Sequence, residues 1–140
     1  MSTFTLEVAT PETLVVQNEA TEAQIPALDG MLGILPGHAA LISAIDAGQL
    51  TYTMDGIRHV LAISSGWVEI SDNKVRVLVD SCEAPDKIDV ARAEEALKRA
   101  NALLMSANQS LDVTRALNAA KRAQARLAVA RVKDEASTPL

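Results

Sequence analysis

IDVARAEEALKRANALLMSA, residues 88–107, and LDVTRALNAAKRAQARLAVA, residues 111–130, are one helix written twice. The offset is 23 residues throughout, and eleven of the twenty aligned positions are identical. Five of those are alanines, which composition alone can supply. The charged matches are more telling: Asp89 falls on Asp112, Arg92 on Arg115, and Lys98-Arg99 on Lys121-Arg122. Apolar residues recur at four-three spacing in both copies. They are Ala93, Leu97, Ala100, Leu104 and Ala107 in the first, and Ala116, Ala120, Ala123, Leu127 and Ala130 in the second. That spacing is one helical face, of the kind two helices press together. Asp89 and Asp112 stand where an N-cap belongs. Only Asn108-Gln109-Ser110 separate the copies, so the helices are expected to fold back as an antiparallel pair. An alanine seam lets backbones approach closely but buries little area, at roughly 25 cal/mol per Å². The expected hairpin is well formed locally and weakly held. It would serve as a lever or latch, or simply as a cap on a domain.

Ahead of the hairpin the periodicity changes to two. Phe4, Leu6 and Val8 alternate with polar residues and read as a strand, broken by Thr10-Pro11-Glu12. Leu14-Val15-Val16 opens a second strand, and Glu22–Ile25 a third that Pro26 should stop. Asp29-Gly30 is a turn, followed by a short strand into the Pro36-Gly37 turn with His38 at its exit. Gln49–Met54 and Ile57–Ile63 flank Asp55-Gly56, a strong hairpin signal. Ser65-Gly66 leads into Trp67–Ile70, and Ser71-Asp72-Asn73 into Lys74–Asp80. Eight or more short strands with such frequent turns indicate an antiparallel β-sandwich or flattened barrel. The fold class is therefore β then α. The sandwich is expected over residues 1–84, and the helical hairpin with a frayed C-terminus over 85–140.

Composition narrows the function. Aromatics make up 2% of a 140-residue chain that is 49% hydrophobic, so the core must be aliphatic. The single cysteine, Cys82, excludes an internal disulfide and a cysteine-rich zinc site. No charged-then-apolar leader opens the chain and no apolar run approaches 18 residues, so neither a signal peptide nor a membrane span is expected. The net charge of −5 divides into −8 over residues 1–87 and +3 over 88–140. An acidic body argues against nucleic acid as the main partner, whereas the basic tail suits an acidic protein surface or a phosphate. His38 and His59 have no acid paired with them by spacing, no metal-ligand cluster is present, and nothing marks Cys82 as activated. No catalytic residue is assigned and an independent enzyme is not expected. In the first helix Glu95 can pair with Arg92 and Arg99. In the second the equivalents are Arg115, Asn118 and Arg122, and Arg126 extends an uncompensated basic stripe. That stripe is either a solvated face, a docking face for an acidic partner, or a grip on a polyphosphate.

The run GMLGILPGHAALISAIDAG, residues 30–48, resembles the signature of the epsilon subunit of rotary ATP synthases. Ile63–Ile70 is similar to that family's Ser-Gly-Gly hairpin, with Ser65 in place of a glycine, and Lys74–Glu83 resembles its next strand. Ile88-Asp89-Val90-Ala91-Arg92-Ala93 is similar to its Ile/Leu-Asp-x-x-Arg-Ala motif. The resemblance covers essentially the whole chain, and its implications follow from the family. The chain would be a non-catalytic central-stalk subunit of a proton (or sodium) ATP synthase, coupling the c-ring to the gamma subunit. It would sit peripherally on the cytoplasmic face of an energy-transducing plasma membrane. Its hairpin would lie folded on the sandwich, or extend toward the catalytic alpha and beta subunits and restrain ATP hydrolysis. No cofactor is required, but a regulatory ATP is implied at Glu83, Asp89, Arg92, Arg99, Arg122 and Arg126, although Asp89 serves equally as an N-cap. Asp29, Gly30 and Met31 match the c-ring-facing loop, Met31 standing where many relatives carry an acid, and His38 matches a gamma-facing position. Arg115, Arg122 and Arg126 would meet the catalytic subunits. The alternative is a free-standing sandwich module that binds a small ligand or peptide.

Overall fold

The computed structural model describes residues 2–106 and 110–137, with side chains described for residues 2–106 and 112–132. Ten strands precede two helices. They are β1 (Phe4–Ala9), β2 (Leu14–Ala20), β3 (Glu22–Ala27), β4 (Gly30–Ile34), β5 (Leu41–Ile45), β6 (Gly48–Met54), β7 (Ile57–Ile63), β8 (Gly66–Ser71), β9 (Lys74–Val79) and β10 (Cys82–Glu83). A single 3-10 turn, Pro85–Lys87, leads to α1 (Val90–Ser106) and α2 (Ser110–Ser137). The strands join in the order β10-β7-β6-β3-β5-β8-β9-β1-β2, with β4 paired to β3. This ladder folds over on itself as a flattened barrel. The end strand β2 comes round to β6 without pairing with it, and Asn18 Nδ2 on β2 donates to the Tyr52 hydroxyl on β6 at 3.4 Å.

Alternation fills the interior. Phe4, Leu6 and Val8 on β1 face Val68 and Ile70 on β8 and Val75, Val77 and Val79 on β9, all under 5% exposed. The ladder is antiparallel except between β1 and β9, which run parallel with Leu6 beside Val75. On the outer face of that pair Lys74 Nζ and Arg76 Nε flank Glu7 at 3.0 and 3.4 Å. The Lys74 hydrogen bond, joined by both positive charges, holds the Glu7 carboxyl below its ordinary range.

Turns follow the expected chemistry. Asp55 and Gly56 both have positive φ, 54° and 76°, as a tight two-residue hairpin requires. Asp72 and Asn73 repeat that geometry before β9. Asn73 also clasps two distant segments: its Oδ1 accepts from Gly37 N at 2.9 Å and its Nδ2 donates to Thr3 O at 2.8 Å.

Two strand boundaries differ from expectation. Pro26 does not stop β3, which runs on to Ala27. Its partner on one side changes there from β6, which pairs with Glu22–Gln24, to β5, which meets only Ala27. A residue without an N–H is tolerated where no ladder bond needs one, and Pro26 O still accepts from Asp46 N at 2.9 Å. The expected strand from Lys74 breaks at Asp80-Ser81 before the short β10. Ser81 N there donates to Ser64 Oγ at 2.9 Å instead of continuing the ladder.

The hairpin seam lies where the repeat put it. Ala93, Ala100, Ala116, Ala120, Ala123 and Ala130 are buried, and Leu97, Leu104 and Leu127 are half-buried. Ala107 and the connecting Asn108-Gln109 lie outside the described residues, and Ser110 already belongs to α2. The frayed tail expected after residue 133 and ending Ser137-Thr138-Pro139-Leu140 starts later, because α2 continues to Ser137; Thr138-Pro139-Leu140 lie outside the described residues.

Candidate functional site

The charged side chains suited to a ligand gather at the joint between hairpin and sandwich. α2 is longer than α1, and its C-terminal half reaches β6, β7 and the 3-10 turn. Val129, fully buried, packs with Val60 and Ala62 on the outer face of β7, flanked by Ile88 and Val132. Two ion pairs stand beside this plug. Lys121 Nζ meets Asp46 Oδ2, in the loop between β5 and β6, at 2.9 Å. Arg126 Nε meets Glu83 Oε1, on β10, at 2.5 Å. Among the described residues, the hairpin is docked by one small apolar cluster and two partly exposed pairs.

A cleft of about 480 Å³ opens between β10, the linker and the two helices. Glu83, Asp89, Arg92, Arg99 and Arg126 all line it, so the structure brings together five of the six residues implied for ATP. Arg122, the sixth, lies next to Arg126 over Ser64 and Ser81, in an adjoining crevice. Lys87, which sequence reading passed over, also lines the cleft. It precedes the recognisable motif by a single residue. Four cations then oppose two carboxylates, so the cleft is a net cationic surface suited to phosphate oxygens.

Individual roles meet the sequence expectation at Asp89 and Glu95 and depart from it on α2. Asp89 is the N-cap of α1: its Oδ1 accepts from Arg92 N at 3.1 Å and its backbone oxygen from Ala93 N at 3.0 Å. The carboxylate still borders the cleft. Glu95 pairs with Arg99 at 3.5 Å. Arg92 lines the cleft. The stripe on α2 is compensated at one end, because Arg126 turns onto Glu83 while Arg115 and Arg122 are exposed. Helical periodicity could not show a partner that comes from β10. Cys82 sits nearby, its thiol pushed up to about 11 by burial and then by the Glu83 charge, the opposite of activation. Among the described residues no group of three or more metal-ligating side chains occurs.

The other expected interface residues lie apart from the cleft. Asp29 lies in the turn between β3 and β4, and Gly30 and the 59%-exposed Met31 open β4 beside it. His38 closes the Pro36-Gly37 turn, its backbone N donating to Leu35 O at 3.2 Å. A further surface was missed. Ile42, Trp67 and Leu78 point outward from β5, β8 and β9, at 71%, 59% and 49% exposure. Trp67 stands opposite both Ala44 and Leu78. A shallow groove of about 620 Å³ runs past Trp67 and Leu78 to Leu28, Thr10 and Pro11. Contiguous apolar exposure of this kind suits a protein contact surface. Alternation shows that these residues share a face but not that the face is left uncovered.

Comparison with known proteins agrees with this architecture. Residues 3–85 match the family described as ATP synthase, Delta/Epsilon chain, beta-sandwich domain, and residues 86–131 its long alpha-helix domain. The chain is 48% identical over 105 residues to the ATP synthase epsilon chain of Koribacter versatilis (strain Ellin345), covering 75% of this chain and 74% of that one. It is 42% identical over 104 residues to that of Lawsonia intracellularis (strain PHE/MN1-00), covering 74% and 78%. In fold it is similar to a chain of the Euglena gracilis mitochondrial ATP synthase OSCP/F1/c-ring structure, with TM-score 0.72, 18% identity, and 99% and 83% of the two chains covered. A chain of the Tetrahymena thermophila mitochondrial ATP synthase central stalk/c-ring structure gives TM-score 0.55 at 17% identity, with 96% of each covered.

Proposed function

The chain belongs to the delta/epsilon family of ATP synthase subunits, and from that premise we propose that it is a non-catalytic central-stalk subunit whose hairpin is a reversible brake on ATP hydrolysis. The sandwich is the permanent anchor. Its exposed Ile42, Trp67 and Leu78 face, with His38, suits the gamma subunit, and the Asp29–Met31 tip suits the c-ring. It works peripherally at the cytoplasmic face of the membrane. No described helix is long and apolar enough to cross a membrane.

The observation that carries the braking reading is how little holds the hairpin down. Partly exposed ion pairs contribute at most about 1 kcal/mol each. With one small apolar cluster added, the docked and released states differ by few kcal/mol, a range that binding can shift. Released, α2 frees Arg126 from Glu83 and completes the basic stripe with Arg115 and Arg122 toward the acidic catalytic subunits.

Opposite substitutions separate the two states. Glu83→Gln with Asp46→Asn weakens docking but leaves the stripe intact, and should strengthen inhibition about two- to fivefold. Arg115→Ala with Arg122→Ala should weaken it without disturbing either ion pair. The assay is ATP hydrolysis by the soluble catalytic complex stripped of this subunit, with full chain or a chain ending at Ala84 added back. Equal inhibition by both would overturn the brake.

The cationic cleft is proposed to take ATP in the docked state, which would hold the brake off. Calorimetric titration of the full chain should give saturable one-to-one heat, lost in Arg92→Ala with Arg99→Ala. No heat at millimolar ATP removes this reading.

A further inference from the structure

The outer part of the β3–β4 ribbon is attached to the sandwich at one narrow bridge. β3 leaves β6 after Gln24, which pairs with Thr51. Ile25 and Leu32 still reach the core. Beyond them the ribbon meets β5, and that pairing consists of Ala27 opposite Ile45. Two backbone hydrogen bonds frame it: Leu28 N donates to Ala44 O at 3.3 Å and Asp46 N to Pro26 O at 2.9 Å. Pro26 and Ala27 in turn stand across the ribbon from Met31 and Gly30. The turn at Leu28-Asp29, with the residues that open β4, therefore hangs from the end of β5.

Asp46 closes that bridge, and its side chain is engaged twice more. Oδ1 accepts from Ala47 N at 2.9 Å, which fixes the carboxylate against its own loop. Oδ2 takes Lys121 Nζ of α2 at 2.9 Å. Gly48, two residues on, lies so near the Pro26 ring that a Cβ there would come within 3.1 Å of Pro26 Cγ. The loop that carries Asp46 is thus packed against the ribbon as well as bonded to it. One short residue holds the ribbon by its backbone and the hairpin by its side chain.

We propose that Asp46 makes the β3–β4 turn a sensor of the hairpin: docking of α2 steadies the turn, and release loosens it. Such coupling is reciprocal, so a partner that takes up the steadied turn favours the docked hairpin. The two-state element that both ends bias is the hairpin itself. A partly exposed ion pair sets the size of the effect, about two- to fivefold in protection or affinity. Its use in the motor rests on the reading above, in which the turn meets the c-ring and the hairpin brakes hydrolysis. A ring contact would then tighten or slacken with the state of the brake.

Amide hydrogen exchange of the full chain, followed by NMR, reads both ends. Lys121→Ala should speed exchange of the Leu28 amide about two- to fivefold, leave Val8 and Val77 unchanged, and be largely rescued in Lys121→Arg. An unchanged Leu28, or a change confined to Asp46 itself, would show a merely local contact and overturn the proposal. In the reverse direction Leu28→Pro removes the N–H that bonds Ala44, at a turn position that proline suits. It should speed exchange of the Lys121 and Ala125 amides about twofold, and that increment should vanish in an Asp46→Asn background. An increment that persists there would mean that the two ends communicate by another route, and Asp46 would lose its role. If Leu28→Pro also strips protection from β1 and β9, the sandwich itself is damaged and the Lys121 variants decide. Neither hydrolysis nor the c-ring is read, so the brake and this coupling stand or fall separately.

Discussion

A Gly66→Ala chain is expected to lose its folded sandwich at physiological temperature. A Cβ on Gly66 would lie 1.9 Å from Leu78 O and 2.9 Å from Leu78 C and Val79 Cα. All three are backbone atoms of the paired strand, so no side-chain rotation relieves the clash. Gly66 also pairs with Ile45 on its other side, so β8 cannot slide away from β9 without leaving β5. The change should cost about 4 kcal/mol or more, at the far end of what single substitutions do. A domain of this size has roughly 5–15 kcal/mol in total. Urea or thermal unfolding followed by far-UV circular dichroism measures it. Gly33→Ala is the control, since nothing lies within 4 Å of its Cβ position. It should change stability by less than about 0.5 kcal/mol. A Gly66→Ala midpoint within a few degrees of the parent would mean that the strands have room to part.

The second large effect concerns the joint. Val129→Asp should release the hairpin and leave the sandwich folded. Val129 is wholly buried against Val60 and Ala62. An aspartate there loses the apolar contact and places a carboxylate among Val60, Ala62 and Ile88. Together these should cost docking about 3 kcal/mol. Hydrogen exchange would then show the α2 amides losing roughly 100-fold in protection while those of β1, β8 and β9 keep theirs. Trp67 fluorescence should report an almost unchanged melting transition of the sandwich. Loss of protection in both parts together would show that the hairpin is integral to the fold, and a separable brake would be untenable.

Legibility divides between local and distant determinants. The seam alanines, the Asp89 cap and the Asp55-Gly56 hairpin depend on neighbours within a few residues, and each reads directly from spacing. The cleft residues were assembled by family resemblance, and five of them do share one surface. What could not be read depends on which surface covers which. In β7 both alternating sets are largely apolar: Ile57, Leu61 and Ile63 with His59 on one side, Val60 and Ala62 with Arg58 on the other. Val60 and Ala62 are apolar because Val129, 69 and 67 residues away on α2, covers them. The internal repeat misleads at the same place. Val129 occupies the position of Ser106 in the first copy, so the docking residue lies where the two helices stop resembling each other. Pairs such as Lys121 with Asp46 join exposed charges across the fold, and nothing in the sequence near either residue marks the other.

The parallel pairing of β1 with β9 bears on how the chain acquires its shape. Leu6 meets Val75, about 70 residues later, and β2 can join the sheet only through β1. Closing so long a loop is entropically expensive and its reward comes late, so the sandwich has high contact order and folds slowly. The two helices are adjacent in sequence and form in microseconds. In refolding from denaturant the hairpin therefore forms before the surface that receives it. During synthesis the order is inverted. The first strand leaves the ribosome early and stays unpaired on one side until β9 emerges. Nascent chains are thus exposed to edge-to-edge association for most of their synthesis.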